Sequence, residues 1–321
     1  MNRFFVLLAP VFLAVAGSCV HPKAYSPATG RIRTVSLPKT AAQIERGRYL
    51  ANHVAVCMDC HSKRDYARLA GPVVPGTFGG GGEEFGKNYG LPGTYYAKNI
   101  TPFALKNWSD TEFLLAMTAG VSKDGKPLFP LMPYSNYGKM DENDAKSILA
   151  YLRTLEPVEN VVQKSKPAAP IKLAMKMMPH KARFQAMPTE KSGVDYGRYL
   201  VTMAGCGDCH TRRGMGGLSK KAAFAGGTEI RLAGGLLKTA NITPDAETGI
   251  GSWTKADFIR RFKTYDPATF KAPEVGSGFN TVMPWQFYAG MTEQDLGAIY
   301  EYLKTVKPVR NKVEIFSTHR P

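Results

Sequence analysis

The chain is short of cysteine, of acidic residues and of long apolar runs. Five Cys occur in 321 residues; four fall in two tight pairs, leaving Cys19 alone near the N-terminus. No pair remains to close a structural disulfide, and neither tight pair has another beside it to complete a four-ligand zinc site. A redox dithiol of the thioredoxin kind needs a strand-to-helix βαβ setting, and the pattern around the pairs does not offer one. Asp and Glu number 26 against 42 Lys and Arg, a formal net charge of +16. No nucleic-acid motif accompanies that charge, so nucleic acid is set aside. A protein or membrane surface is the expected partner, and plain solubility is the bland alternative.

The apolar run Phe4 to Ala16 follows Arg3, is interrupted by Pro10, and is too short to span a bilayer as a mature helix. Residues 1–18 therefore read as an export signal, which directs the chain to the periplasm. Ala14-Val15-Ala16 is an A-x-A-like cleavage site, while Ala16-Gly17-Ser18-Cys19 resembles a bacterial lipobox. Cys19 is the one Cys without another task, so it is the expected lipidation site, anchoring the chain to a membrane surface. Residues 19–40, with Pro22, Pro27 and Pro38, read as a tether.

The two tight pairs are Cys57-Met58-Asp59-Cys60-His61 and Cys206-Gly207-Asp208-Cys209-His210. Each is C-x-x-C-H, the attachment signature of a c-type haem. Two thiols three positions apart reach the two vinyl groups of one porphyrin edge, and the adjacent His offers its imidazole to the iron. Two covalently bound haem c groups are thus expected, on Cys57 and Cys60 with proximal His61, and on Cys206 and Cys209 with proximal His210. The opposite iron face decides between carrier and enzyme. Met132-Pro133 and Met283-Pro284 lie in equivalent places, and a thioether there would close the coordination sphere. Met132 and Met283 are the expected distal ligands; Met140 and Met291 also correspond and are the runners-up.

The rest of the chain is one unit written twice. Gly47-Arg48-Tyr49-Leu50 recurs as Gly197-Arg198-Tyr199-Leu200, Asn99-Ile100-Thr101-Pro102 as Asn241-Ile242-Thr243-Pro244, and Trp108 as Trp253. Tyr151-Leu152 recurs as Tyr302-Leu303. Ser109 with Glu112 and Thr254 with Asp257 are capping boxes opening helices. Asp141 and Thr292 cap the last helix of each copy, with Ile148, Leu152 and Leu155, or Leu296, Ile299, Tyr300 and Leu303, as apolar stripes. Gly47 and Gly197 in the first helices point to close helix crossings. The fold expected is all-α: residues 41–158 and 191–310 as tandem domains, a 159–190 linker and a 311–321 tail. Gly71 to Gly93 reads as coil over the first haem. Met175, Met177, Met178 and His180 form either a copper(I)-binding cluster or apolar packing. Trp108 and Trp253 could serve a haem propionate or a backbone carbonyl. Lys63, Arg64, Arg212 and Arg213 could rim the haem edges or form a solvated basic face.

Both copies resemble class I cytochrome c domains. The second is similar to domains in the multi-haem cytochrome c subunits of periplasmic alcohol, aldehyde and gluconate dehydrogenases. The residues carrying this are Gly197 to Leu200, Cys206 to His210, Asn241 to Asp245, Thr248 to Gly251 and Met283-Pro284. The resemblance implies covalent haem, His/Met ligation and electron transfer between a dehydrogenase or other donor and a respiratory acceptor, with no substrate chemistry in this chain. Those subunits typically carry three haem motifs, and this chain has two. A dihaem peroxidase would need an open sixth position, and a thiosulfate-oxidising dihaem enzyme a Cys ligand; the two Met-Pro loops and the spent cysteines disfavour both.

Overall fold

The computed structural model describes residues 37, 40–178, 181–214 and 217–318. The expected signal peptide, the lipidation site Cys19 and nearly all of the tether lie outside the described residues. In the first half, α1 (Ala41–Tyr49) runs through a wider turn into α2 (Cys57–Cys60). Next come α3 (Pro102–Leu105), α4 (Asp110–Ala119), α5 (Tyr134–Tyr137) and α6 (Glu142–Leu152). α7 (Ala169–Ala174) bridges to the second half, built from α8 (Gly193–Met203), α9 (Cys206–His210), α10 (Lys255–Lys263), α11 (Trp285–Tyr288) and α12 (Glu293–Thr305). The caps are those the sequence calls for: Ser109 with Glu112 and Thr254 with Asp257 close reciprocal capping boxes, Asp141 caps α6, and Thr292 caps α12.

The expectation of an all-α fold needs correction. Short antiparallel strands complete each half: β1 (Glu84–Phe85), β2 (Gly93–Tyr96) and β3 (Lys166–Pro167) in one sheet, and β4 (Arg213–Gly214) with β5 (Gly217–Leu218) in a ribbon. β6 (Glu229–Leu232), β7 (Gly235–Lys238) and β8 (Phe316–Ser317) form another. Register is set by Phe85 opposite Tyr95 and Thr94 opposite Lys166, then by Ile230 opposite Leu237 and Leu237 opposite Phe316. The 159–190 segment thus adds a strand to the first half, and the 311–321 tail adds the matching strand to the second. The 71–93 stretch is not free coil, since it contributes β1 and the start of β2. Strands of two to four residues carry too little alternation to be read as such.

Each half is organised by one crossing, α1 over α6 and α8 over α12. At the crossings sit Gly47 and Gly197, where a β-carbon would run into the backbone carbonyls of Ser147 and Ala298. The stripes then seal the contact: Ile148 and Leu152 are each 1% exposed, as is Leu303, and Leu296 is fully buried. Among the described residues, most of the buried apolar side chains form one cluster that runs through both halves.

The halves are joined by an exchange of equivalent contacts. Tyr49 donates to Asp295 Oδ2 at 2.5 Å and accepts from the Thr292 amide at 3.1 Å. Its counterpart Tyr199 donates to Asp144 Oδ2 at 2.6 Å and accepts from the Asp141 amide at 3.2 Å. Self-complementary pairing of this kind is what a two-fold relation between like units produces. Burial, reinforced by Asp295 or Asp144, holds both phenols well above their ordinary pKa, so each stays protonated and donates. Asp144 also takes two bonds from Arg46, at 2.9 and 2.8 Å. Among the described residues no helix is long and apolar enough to cross a membrane.

Gly47→Ala and Gly197→Ala are each expected to cost about 3 kcal/mol, because rigid backbone, not a flexible side chain, occupies the space. Denaturant titration checks this; an unchanged midpoint in either variant would show that the crossing tolerates a methyl group.

Candidate functional site

Each C-x-x-C-H motif begins at a left-handed residue that turns the chain into a short helix: Val56 at φ 43° before α2, and Gly205 at φ 65° before α9. The turn brings both thiols of a pair to one side of a single helical turn. No disulfide joins the four motif cysteines. Burial pushes Cys57, Cys60 and Cys206 up to about 12, the opposite of the depressed values of a reactive dithiol or metal thiolate. Among the described residues no three His, Cys, Asp or Glu side chains converge as a metal cluster. The donor set therefore fits covalent haem attachment better than zinc or dithiol chemistry.

The imidazoles are held in one orientation by the same device in both halves. His61 Nδ1 lies 2.6 Å from the Lys98 carbonyl, and His210 Nδ1 lies 2.7 Å from the Ala240 carbonyl. A carbonyl only accepts, so Nδ1 carries the proton and Nε2 keeps its lone pair free for a metal. Burial pulls both imidazoles below their ordinary pKa, which favours the neutral, ligating form.

A glycine completes each cradle. Gly81 (φ 69°) donates its amide to His61 O at 2.8 Å, and Gly226 (φ 72°) donates to His210 O at 2.7 Å. A β-carbon on either would collide with the backbone at Lys98 and Asn99, or at Thr239 and Ala240, the same strand ends that receive the imidazoles. Only glycine combines that conformation with that approach.

The Asn-Ile-Thr-Pro repeat fixes the strand ends. Asn99 donates to the Val158 and Asn160 carbonyls at 2.7 and 3.1 Å, while Thr101 Oγ1 donates to Asn99 Oδ1 and accepts from the Val158 amide. Asn241 and Thr243 repeat this with Val309, at 2.8 Å for the carbonyl and 3.2 Å for the amide. All four side chains are buried. The segment after each last helix is thereby tied to the residue that orients the imidazole. The repeat was visible in the sequence, but nothing there marked its partner as a backbone segment some 60 residues on.

Met132 and Met283 are half-buried against the core, each opening a short turn, α5 or α11. The runners-up, Met140 and Met291, are each 1% exposed and packed within the core. Trp108 and Trp253 lie against the core, and their own carbonyls accept from Arg153 at 2.6 Å and Tyr300 at 2.7 Å. In the 175–180 stretch Met177 is 82% exposed, and His180 lies outside the described residues.

The basic residues beside the motifs divide. Lys63 and Arg212 are exposed, and the Arg213 side chain lies outside the description. Arg64 is a structural residue, not a surface one. Its side chain is 2% exposed, pairs with Asp59, and donates to the Gly71 carbonyl and to Ala70 O at 2.6 Å. It also lies over the Phe287 ring of the other half, 5.4 Å from the centroid.

Comparison of the sequence with known proteins points the same way. Residues 194–307 match the family model for cytochrome c, so the second half contains a cytochrome c domain. More particularly, the chain is homologous to cytochrome c subunits of dehydrogenases. It is 31% identical over 277 residues to the fructose dehydrogenase cytochrome subunit of Gluconobacter japonicus, covering 82% of this chain and 52% of that one. It is 30% identical over 289 residues to the gluconate 2-dehydrogenase cytochrome c subunit of Pantoea cypripedii, covering 83% and 60%. A diheme cytochrome c-type protein of Cereibacter sphaeroides is 26% identical over 265 residues, covering 79% and 82%. The chain spans about half the length of the dehydrogenase subunits it matches.

Arg64→Ala should lower stability by about 3 kcal/mol, since it strands Asp59 and two carbonyls, whereas Lys63→Ala should stay within about 0.5 kcal/mol of the parent. Equal denaturation midpoints for the two variants would contradict the assignment of Arg64 to the interior.

Proposed function

We propose that this chain is a periplasmic dihaem c-type cytochrome that carries electrons between a dehydrogenase and a respiratory acceptor. The observation that carries the reading is the twice-built cradle, in which His61 and His210 present Nε2 from a fixed ring orientation beside a C-x-x-C pair. On this reading residues 41–158 and 191–310 are tandem cytochrome c domains. Haem c is attached through Cys57 and Cys60, and through Cys206 and Cys209, with His61 and Met132, and His210 and Met283, as axial ligands. When bound, the haem iron supplies one-electron redox chemistry, and thioether ligation favours its reduced state. The protein's part is to fix the ligands, exclude water and set the surroundings. The 1–18 signal peptide and lipid at Cys19 belong to the same proposal, as does a dehydrogenase partner, which is supported by the names of the relatives. No substrate chemistry is assigned to the chain.

Intact-mass measurement of the exported protein should show two haem increments that survive acid-acetone extraction. Cys57→Ser with Cys60→Ser should remove one of them. A single increment in the parent protein would overturn the dihaem reading.

Met132→His and Met283→His should each lower the potential of one haem only, since an imidazole in place of the thioether disfavours ferrous iron. Redox titrations that leave both potentials unmoved would show that these sulfurs are not ligands.

Lys63 and Arg212 follow the proximal imidazoles and are exposed, so they are placed to steer an acidic partner. Lys63→Glu combined with Arg212→Glu should slow second-order electron transfer at low salt while both potentials hold. A rate that is flat across a salt series would assign the charge to solubility or lipid headgroups.

A further inference from the structure

The two Met-Pro loops are supported differently. In the first half, Phe129 lies three residues before Met132 and stacks on Tyr95 of the same half, ring centroids 4.0 Å apart. The matching position before Met283 is Asn280, which is 4% exposed and spends its side chain on the other half. Its Oδ1 accepts the Ala70 amide at 2.9 Å, and its Nδ2 donates to the Tyr66 and Arg68 carbonyls at 2.9 and 3.2 Å. The same Oδ1 also accepts the Thr281 amide at 2.7 Å, and Thr281 Oγ1 accepts the Met283 amide at 3.0 Å. A continuous chain of hydrogen bonds therefore links the loop that follows His61 to the backbone of Met283.

The platform is itself built for the purpose. Ala70 holds a left-handed conformation (φ 58°) that a non-glycine residue adopts only under constraint, and its carbonyl is tied down by Arg64. Alongside, Leu69 donates to Pro273 O and Val275 to Ala67 O, each at 2.9 Å. The stretch leading to Met283 is thus laid against the first half before it reaches the sulfur.

We propose that Asn280 is a positioning residue for Met283, so that the distal face of the second haem is assembled by the first half of the chain. The proposal rests on the His/Met reading above. A buried amide with all its donors and acceptors matched has one orientation, and that orientation fixes the path of the three residues after it. Before Met132 the matching support is an aromatic stack within its own half, and that turn meets the other half only beyond the sulfur, where Asn136 Nδ2 donates to Asp208 Oδ2 at 2.7 Å. The two irons then differ in what leads up to the distal sulfur: an aromatic stack of the same half before Met132, and a hydrogen-bonded contact with the other half before Met283.

The test uses the full-length holoprotein, with Met283→Ala as reference and Asn280→Ala and Asn280→Asp as probes. The Asp variant keeps the size of the side chain but turns a carboxylate oxygen towards the Tyr66 and Arg68 carbonyls. Readouts are the sulfur-to-ferric-iron charge-transfer absorption, the two resolved potentials and the haem mass. Both probes should match Met283→Ala: roughly half of the sulfur-to-iron absorption lost, one potential lowered, the other unchanged, both haems still attached. Full absorption and two unshifted potentials, even with reduced stability, would reduce Asn280 to a structural residue and overturn the proposal. Equal loss at both haems would overturn it too. A Met283→Ala protein with the parent absorption would instead defeat the ligand assignment, and the proposal with it.

Discussion

Everything in each half hangs on two helices touching backbone to backbone at one glycine. With Gly47 against Ser147, and Gly197 against Ala298, the first and last helices cross without a side chain between them. That approach lets the apolar stripes of α6 and α12 reach the core, and it places the end of the first helix where the C-x-x-C-H turn must begin. It also puts the segments after α6 and α12 within reach of Asn99 and Asn241. Those asparagines hold the strand ends whose carbonyls orient His61 and His210. A methyl group at the crossing would therefore be felt at the imidazole, several residues and two hydrogen bonds away.

A second constraint acts between the halves. Duplication gave each half a Tyr at the end of its first helix and a carboxylate in its last, and the halves satisfy these across the interface. Asp144 and Asp295 are 5% and 6% exposed, and such buried carboxylates persist only when bonded. The exchange is close to symmetric, but its surroundings are not. Asp59 pairs with Arg64 of its own half, while its counterpart Asp208 accepts Asn136 Nδ2 of the other half at 2.7 Å. Phe287 O, just after the Met283 turn, lies 2.9 Å from His53 Nδ1. Two like units thus acquire different environments, and on the proposed dihaem reading this is one route to two different potentials.

Much of the site was legible because its parts are local. A C-x-x-C-H and a capping box each state their chemistry within a few residues, repetition marks the glycines at the crossings, and the Met-Pro pairs supply the proposed distal ligands. The Asn-Ile-Thr-Pro motif announced itself by recurrence alone; its work is with main-chain atoms, which leave no trace in residue identity. Arg64 looked like a surface charge beside the haem motif because nothing local says that the chain folds back to offer it carbonyls. The strands escaped notice for the same reason: β3 and β8 exist only because segments beyond each last helix return to β2 and β7. Asn280 lies in a stretch with no motif, and its partners are more than 200 residues away. The core cluster that runs through both halves follows from the interface, which no periodicity within one half can show.

The central claim is that both motifs carry an iron with one imidazole and one thioether. X-ray absorption at the iron edge of the exported full-length protein reads this directly, together with the iron content per chain. The account predicts two irons per chain, each with one sulfur scatterer in its coordination shell and the remaining ligands nitrogen. One iron per chain, or two irons with only nitrogen or oxygen neighbours, would contradict it.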